Sequence, residues 1–263
     1  MAPTQTKSKS KGKPTNKPFA RELPVNELSL SAPFEWIKLG WDDYKHAPKI
    51  SMIAGGLFCL FPIASIYLTY VYSYITILPS FIILALVGPI FSHVFYDIAW
   101  EFEKGHKPCV EHFMKEFHRN AVQSFGFIVF LVIMIIFWTR IAALIHALYP
   151  ETLPTLENML PFLLTGTAFG IGLSIFIFCM SAFTPQILME RHVDLVTALY
   201  SSSMAVLNNK GPMLVWVTIL ALGTILSFAT LGLGFVLFMP LFSYASWHAY
   251  IATIATKRPR KYK

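Results

Sequence analysis

Residues 211–255 read GPMLVWVTILALGTILSFATLGLGFVLFMPLFSYASWHAYIATIA, 45 residues without one Asp, Glu, Lys or Arg. How this run divides decides how often the chain crosses a membrane. As one helix it would be ~68 Å long at ~1.5 Å per residue, more than twice a ~30 Å hydrocarbon core. Its weakest helical point is LGLG at 231–234, since glycine costs about 1 kcal/mol relative to alanine in a helix. The run therefore divides into two spans, about 212–231 and 235–255.

Four further apolar runs precede it, near 50–71, 78–98, 122–148 and 161–186. Each reaches the roughly 20 residues that a crossing needs. Of the 263 residues, 55% are hydrophobic and only 13% are charged, about half the ~25% of a soluble domain. A soluble bundle is thereby excluded. The expected fold is all-α, a polytopic membrane bundle with six transmembrane helices inside residues 48–256.

Basic residues give the orientation, because Lys and Arg accumulate in short cytoplasmic loops. Nine of the 21 precede Ile50, four lie in 97–120, two in 190–210 and five in the tail TKRPRKYK. Six spans with both termini inside place all of these in the cytoplasm. Residues 1–30 are Lys-, Pro- and Ser-rich and are expected to form a disordered basic cytoplasmic tail, with 257–263 as a second one. The start lacks the apolar segment and cleavage site of a secretory signal, so the first span is expected to serve as an uncleaved anchor.

The remaining basic residue is Arg140, in FWTRIAALIHAL at 137–148. It lies about 15 residues from the inner interface, ~22 Å along a helix, within reach of the outer headgroups for a snorkelling side chain. Trp138 beside it suits an aromatic belt. Two readings stay open: structural anchoring, or a functional anion or proton role with Glu151, Glu157 or a phosphate.

Before each outward span lies an amphipathic stretch. In 31–47, an expected interfacial helix, Phe34, Ile37, Trp41 and Tyr44 share one face at helical spacing. Burial of that face in the headgroup region would leave Trp36 more accessible than Trp41. PCVEHFMKEFHRN at 108–120 and DLVTALYSSSMAVLNNKGP at 194–212 repeat the idea. The chain thus reads as three parallel repeats of interfacial helix plus helical hairpin, related about an axis along the membrane normal.

Chemistry-bearing residues are few. Asp97 and Glu190 sit at the cytoplasmic ends of inward spans. His93 and His248 fall at similar depth, which makes them weak candidates for a haem or metal pair. Cys59, Cys109 and Cys179 are isolated and read as structural thiols. HExxH, GxSxG, Walker A and Rossmann patterns are missing, so no catalytic set, cofactor or metal is expected and an enzyme is disfavoured. An aromatic-basic platform for nucleic acid is missing too; the basic tails instead suit anionic inner-leaflet headgroups. Gly166, Gly170 and Gly172 offer a smooth face for close helix packing. Pro89, Pro185 and Pro240 mark the three inward spans, where kinks free carbonyls that could line a cavity.

GPIFSHVFYDIAWEFEKGHKP (88–108), FWTRIAALIHAL, MERHVDLVTALYSSSMAVLNNKGPMLVW (189–216) and PLFSYASWHAY (240–250) resemble the bacterial membrane-protein family catalogued as domain of unknown function 2189. The likeness runs from Leu78 to Ile254, with Trp138–Arg140 and the Trp247–His248–Tyr250 segment as its more specific parts. It implies a multi-pass protein of the bacterial cytoplasmic (inner) membrane. Some members carry a cytochrome c oxidase label, which implies an accessory or assembly component of a respiratory complex. The expected partners are respiratory-complex subunits or a second copy of the chain. The alternative is a small-solute or ion transporter with a cavity among the kinked inward helices.

Overall fold

The computed structural model describes residues 23–72, 77–105, 121–149, 156–191 and 193–254. Among them, α1 (Ala32–His46) precedes the hairpin α2 (Pro48–Tyr72) and α3 (Ile77–Lys104). The second hairpin is α4 (Ala121–Leu148) and α5 (Leu156–Ser181), followed by the short α6 (Thr184–Glu190). Then come α7 (Leu195–Asn208), α8 (Lys210–Ala229) and α9 (Phe235–Thr253). Six helical stretches are long and apolar enough to cross a membrane, and α8 and α9 part at the LGLG turn. The protein is an all-helical polytopic bundle.

Both described ends of the chain lie together on the side that carries α1. Val25 bridges Ile254, Asn26 N–H donates to the Thr253 carbonyl at 2.8 Å, and the Asn26 amide donates to Ala252. Residues 23–30, expected within the disordered tail, are therefore an ordered strap. Leu23, Val25 and Leu28 pack on the core, and Asn209 accepts from Leu28 N–H and donates to the Asn26 carbonyl. Three apolar side chains and three satisfied backbone groups offset the ordering entropy that composition alone left uncompensated.

The spacing of α1 corrects a second expectation. Ala32, Trp36 and Gly40, four residues apart, are its buried stripe. Trp36 is 2% exposed and meets Trp216 edge-on at 5.6 Å. At Gly40 a Cβ would fall 2.7 Å from the Ala245 backbone nitrogen, so α1 and α9 touch backbone to backbone. Trp41 is 39% exposed and stacks on Tyr44. The face with Phe34 and Trp41 does look outward, but Trp36 is inside the protein rather than in water. In single-Trp variants, an aqueous quencher is expected to reach Trp41 and spare Trp36; equal quenching would contradict the α1–α9 packing.

The second inward span is not one helix. α5 ends at Ser181 and α6 starts at Thr184, with Pro185 in the first turn of α6. Phe183 N–H, whose helical acceptor would be the Cys179 carbonyl, donates instead to Ser202 Oγ of α7 at 3.1 Å. Ser202 Oγ in turn donates to that carbonyl at 2.9 Å. A hydroxyl inserted in the ladder opens the helix, and α6 turns into the core with Thr184 to Met189 all buried. Ser202→Ala strands both groups and is expected to cost about 1–3 kcal/mol, read as a lower Tm in detergent; an unchanged Tm would show that the break does not need the hydroxyl.

α7 starts where Asp194 caps it, accepting from Thr197 N–H at 3.0 Å and Thr197 Oγ1 at 2.7 Å. The Thr197 hydroxyl and then its N–H hold the Asp194 carboxyl below the usual carboxylate range.

The repeats dock in a cyclic order. α1 packs chiefly on α9, the returning span of the third unit, and α7 packs on α5 and α6, the returning span of the second. Outward spans follow the same rule: α2 packs on α9 and α4 on α3. The amphipathic stretch expected at 108–120 lies outside the described residues. One place breaks the cycle: α8 makes no extensive contact with α5 among the described residues. A groove of about 800 Å³ opens there instead.

Candidate functional site

The returning helices α3, α6 and α9 converge on the α1 side. Tyr244 and Phe95 meet there edge-on at 5.4 Å, and Tyr244 Oη bonds Ser51 Oγ of α2 at 2.9 Å. One turn further along α9, three side chains of the WHAY segment each reach a different helix. Trp247, fully buried, lies against Tyr96 and Trp100 of α3, with ring centroids 6.4 and 6.0 Å away. His248 Nε2 pairs with Asp43 Oδ2 of α1 at 2.7 Å. Tyr250 Oη donates to Glu190 Oε2 at the end of α6 and accepts from Arg191 Nε at 3.1 Å.

Helical geometry explains the division of labour. Trp247 and Tyr250 are three apart and share a flank, with ring centroids 5.4 Å apart; His248, about 100° around the helix, looks the other way. On α3, Asp97 and Glu101 are four apart and both buried. Asp97, expected at a wet interface, is 4% exposed and belongs to this seam. Lys104 Nζ lies over the Trp100 ring at 3.5 Å and pairs with Glu101 at 2.8 Å. The Gln186 side-chain carbonyl oxygen and the Trp247 indole N–H are buried with no hydrogen-bond partner among the described residues.

This arrangement links helices. Tyr250 bridges Glu190 and Arg191, His248 hydrogen-bonds Asp43, and burial makes each tie sensitive to loss of one partner. Among the described residues no three His, Cys, Asp or Glu side chains form a metal-holding group. His93 Nδ1 donates to the Pro89 carbonyl at 2.7 Å, whereas His248 holds Asp43, so the two candidate ligands face different partners.

The prolines differ in setting. Pro240 leaves the Val236 carbonyl without its helical donor, and Gly55 of α2 closes over that oxygen, with Pro240 Cγ 3.0 Å from where a Cβ would be. Pro89 cannot donate to the Ala85 carbonyl, and Ala85 lines a cavity of about 350 Å³ between α3, α4 and α5. Its other walls include Leu131, Met134, Ile135, Leu173 and Ile177. Pro185 starts α6. The seam where the three helices meet is filled by aromatic rings.

Trp138 and Arg140 lie apart from the seam. The Trp138 indole crosses α5 over Gly170, 3.2 Å from the place a Cβ would take. The expected glycine face therefore serves one aromatic ring; Gly166 and Gly172 have nothing within 4 Å. Arg140 is exposed. Glu151 and the Glu157 side chain lie outside the described residues. Arg140→Lys and Arg140→Leu are expected to change stability by no more than ~0.5 kcal/mol, read as an unchanged Tm; a large loss in Arg140→Lys would reveal a partner for the guanidinium fork.

Sequence reading missed Ser202, Asn209 and the pairing of His248 with Asp43. The available signals were the SSS run within α7 and an acid on α1 opposite a histidine of α9. Local spacing does not reveal partners 205 positions apart.

The fold and the seam define a multi-pass helical integral membrane protein in which buried polar groups bind helix to helix. Residues 77–190, from the start of α3 to the end of α6, match the family described as predicted integral membrane protein (DUF2189). The WHAY segment lies beyond the matched residues. No curated protein and no solved structure matches the chain.

Proposed function

We propose that the protein is a non-catalytic component of the bacterial inner membrane that receives a transmembrane helix of a partner between α5 and α8, as an accessory or assembly component of a respiratory complex. The observation that carries this reading is the open third interface between units. Gly166 and Ser174 form a low wall on α5, with Met213, Leu214 and Val217 opposite on α8. Small residues let a partner's backbone approach closely, which is how helices associate in lipid. In keeping with this, no residue in the most apolar stretch of Met159–Glu190 is buried by the chain itself. The respiratory assignment has its support in the oxidase label carried by members of the resembling family.

Transport of an ion or polar solute is disfavoured, because the cavity beside Pro89 is almost wholly apolar. Both described ends of the chain lie on the α1 side, and the basic residues beyond them favour that side as cytoplasmic, against anionic headgroups.

The test is a photo-crosslinking residue at Ile171, in the groove, compared with one at Leu222 on the exposed flank of α8. After purification in mild detergent, Ile171 is expected to yield one protein adduct of fixed mass containing a respiratory subunit. An adduct of doubled mass would mean a homo-oligomer, and lipid adducts alone would overturn partner docking.

A further inference from the structure

The third hairpin is short. α8 and α9 run for 20 and 19 residues, whereas α2 and α3 run for 25 and 28. Their α1-side ends are level: Trp247 meets Trp100, and Ser51 meets Tyr244. Going away from α1, Gly55 meets Pro240, Phe58 lies between Phe91 and Phe235, and Cys59 Sγ donates to the Gly232 carbonyl at 3.0 Å. Gly232 also faces Ile63, with Cγ1 3.2 Å from where a Cβ would be. The α8–α9 turn is therefore level with Cys59–Ile63. Above it α2 continues to Tyr72, ~14 Å further, and α3 back to Ile77, ~21 Å beyond Phe91.

Those projecting parts of α2 and α3 hold no charged residue (ASIYLTYVY and ILPSFIILALVGPI) and expose Tyr67, Leu68 and Ile83. They belong in hydrocarbon, with Tyr67, Tyr70 and Tyr72 placed for an interfacial belt. We infer that the α8–α9 turn ends inside the hydrocarbon of the leaflet remote from α1, with Leu231 and Leu233 as its contacts to lipid acyl chains.

Two independent features fit. Leu231 and Leu233 are 68% and 62% exposed, apolar side chains at a loop tip where water would favour polar ones. The backbone is also closed on itself: every N–H from Thr230 to Phe238 donates within the hairpin. Gly232 N–H goes to Ser227, Leu233 N–H to Thr230, Phe235 N–H to Gly232 and Val236 N–H to Leu233, while Thr230 Oγ1 accepts Gly234 N–H at 2.8 Å. An irregular turn survives in lipid only when its polar groups are satisfied internally. Leu231 at φ 55° and Gly232 at φ 92° supply the left-handed geometry that closes it.

The test places single cysteines at Leu231, Leu233 and Tyr72 in protein reconstituted in phosphatidylcholine–phosphatidylglycerol vesicles. A water-soluble maleimide is expected to label Tyr72→Cys and to leave Leu231→Cys and Leu233→Cys unlabelled. Spin labels at 231 and 233 are expected to collide more with oxygen than with a water-soluble nickel chelate, and the label at 72 the reverse. Labelling of 231 or 233 at the rate of 72, or nickel collision exceeding oxygen there, would overturn the inference.

Discussion

Gly55→Ala is expected to destabilise the protein while Gly56→Ala, one position along the same exposed-to-buried helix, stabilises it slightly. At Gly55 a new Cβ falls on the Val236 carbonyl oxygen and 3.0 Å from Pro240 Cγ. Backbone and a proline ring cannot give way as a flexible side chain can, so α2 has to leave α9. Overpacking of this kind costs about 1–3 kcal/mol, and the upper end applies where the obstacle is backbone. At Gly56 nothing lies within 4 Å, and the helix gains up to about 1 kcal/mol from replacing glycine. Thermal unfolding of both variants in one detergent reads the opposite signs. Equal shifts would mean that α2 does not close over the Pro240 kink.

Trp247→Ala carries the second large effect. The ring is fully buried and touches Tyr96, Trp100 and Tyr250, so its removal leaves a cavity where α3 and α9 meet. Aromatic-to-alanine changes in cores cost about 3–5 kcal/mol. Trp41→Ala, at an exposed position, serves as the control and is expected to shift Tm little. A Trp247→Ala protein as stable as Trp41→Ala would remove the seam from the account of how the helices are joined.

The element count was legible because hydrophobic run length is a local property. Lipid demands a helix of minimum length, and the 45-residue run could satisfy that demand only by turning at LGLG. The structure added the docking order of the units, α1 on α9 and α7 on α5 and α6. The seam was legible only as residues: Asp97, Trp247, His248 and Tyr250 stood out as polar or aromatic groups at span ends, without their partners.

Helix packing was misread because small residues carry no label of what they face. GTAFG looked like the packing motif, yet Gly166 and Gly172 face open space. The stripe that does pack is Ser51, Gly55 and Cys59 on α2, four residues apart, a small-xxx-small pattern equally present in the sequence. Composition likewise assigned residues 23–30 to a disordered tail, because a window of mixed polarity does not show that Asn209 and Thr253 stand ready to accept it.

By itself, then, the sequence determined the solvent, the number of long apolar spans and where the last two part, since these follow from apolar run length and glycine's cost in a helix. Tertiary structure alone decided which face of each helix is buried, that Ser202 opens the fifth, and that the last hairpin stops short of the others. Those outcomes depend on contacts between residues far apart in the chain, whose energies exist only once the helices are assembled.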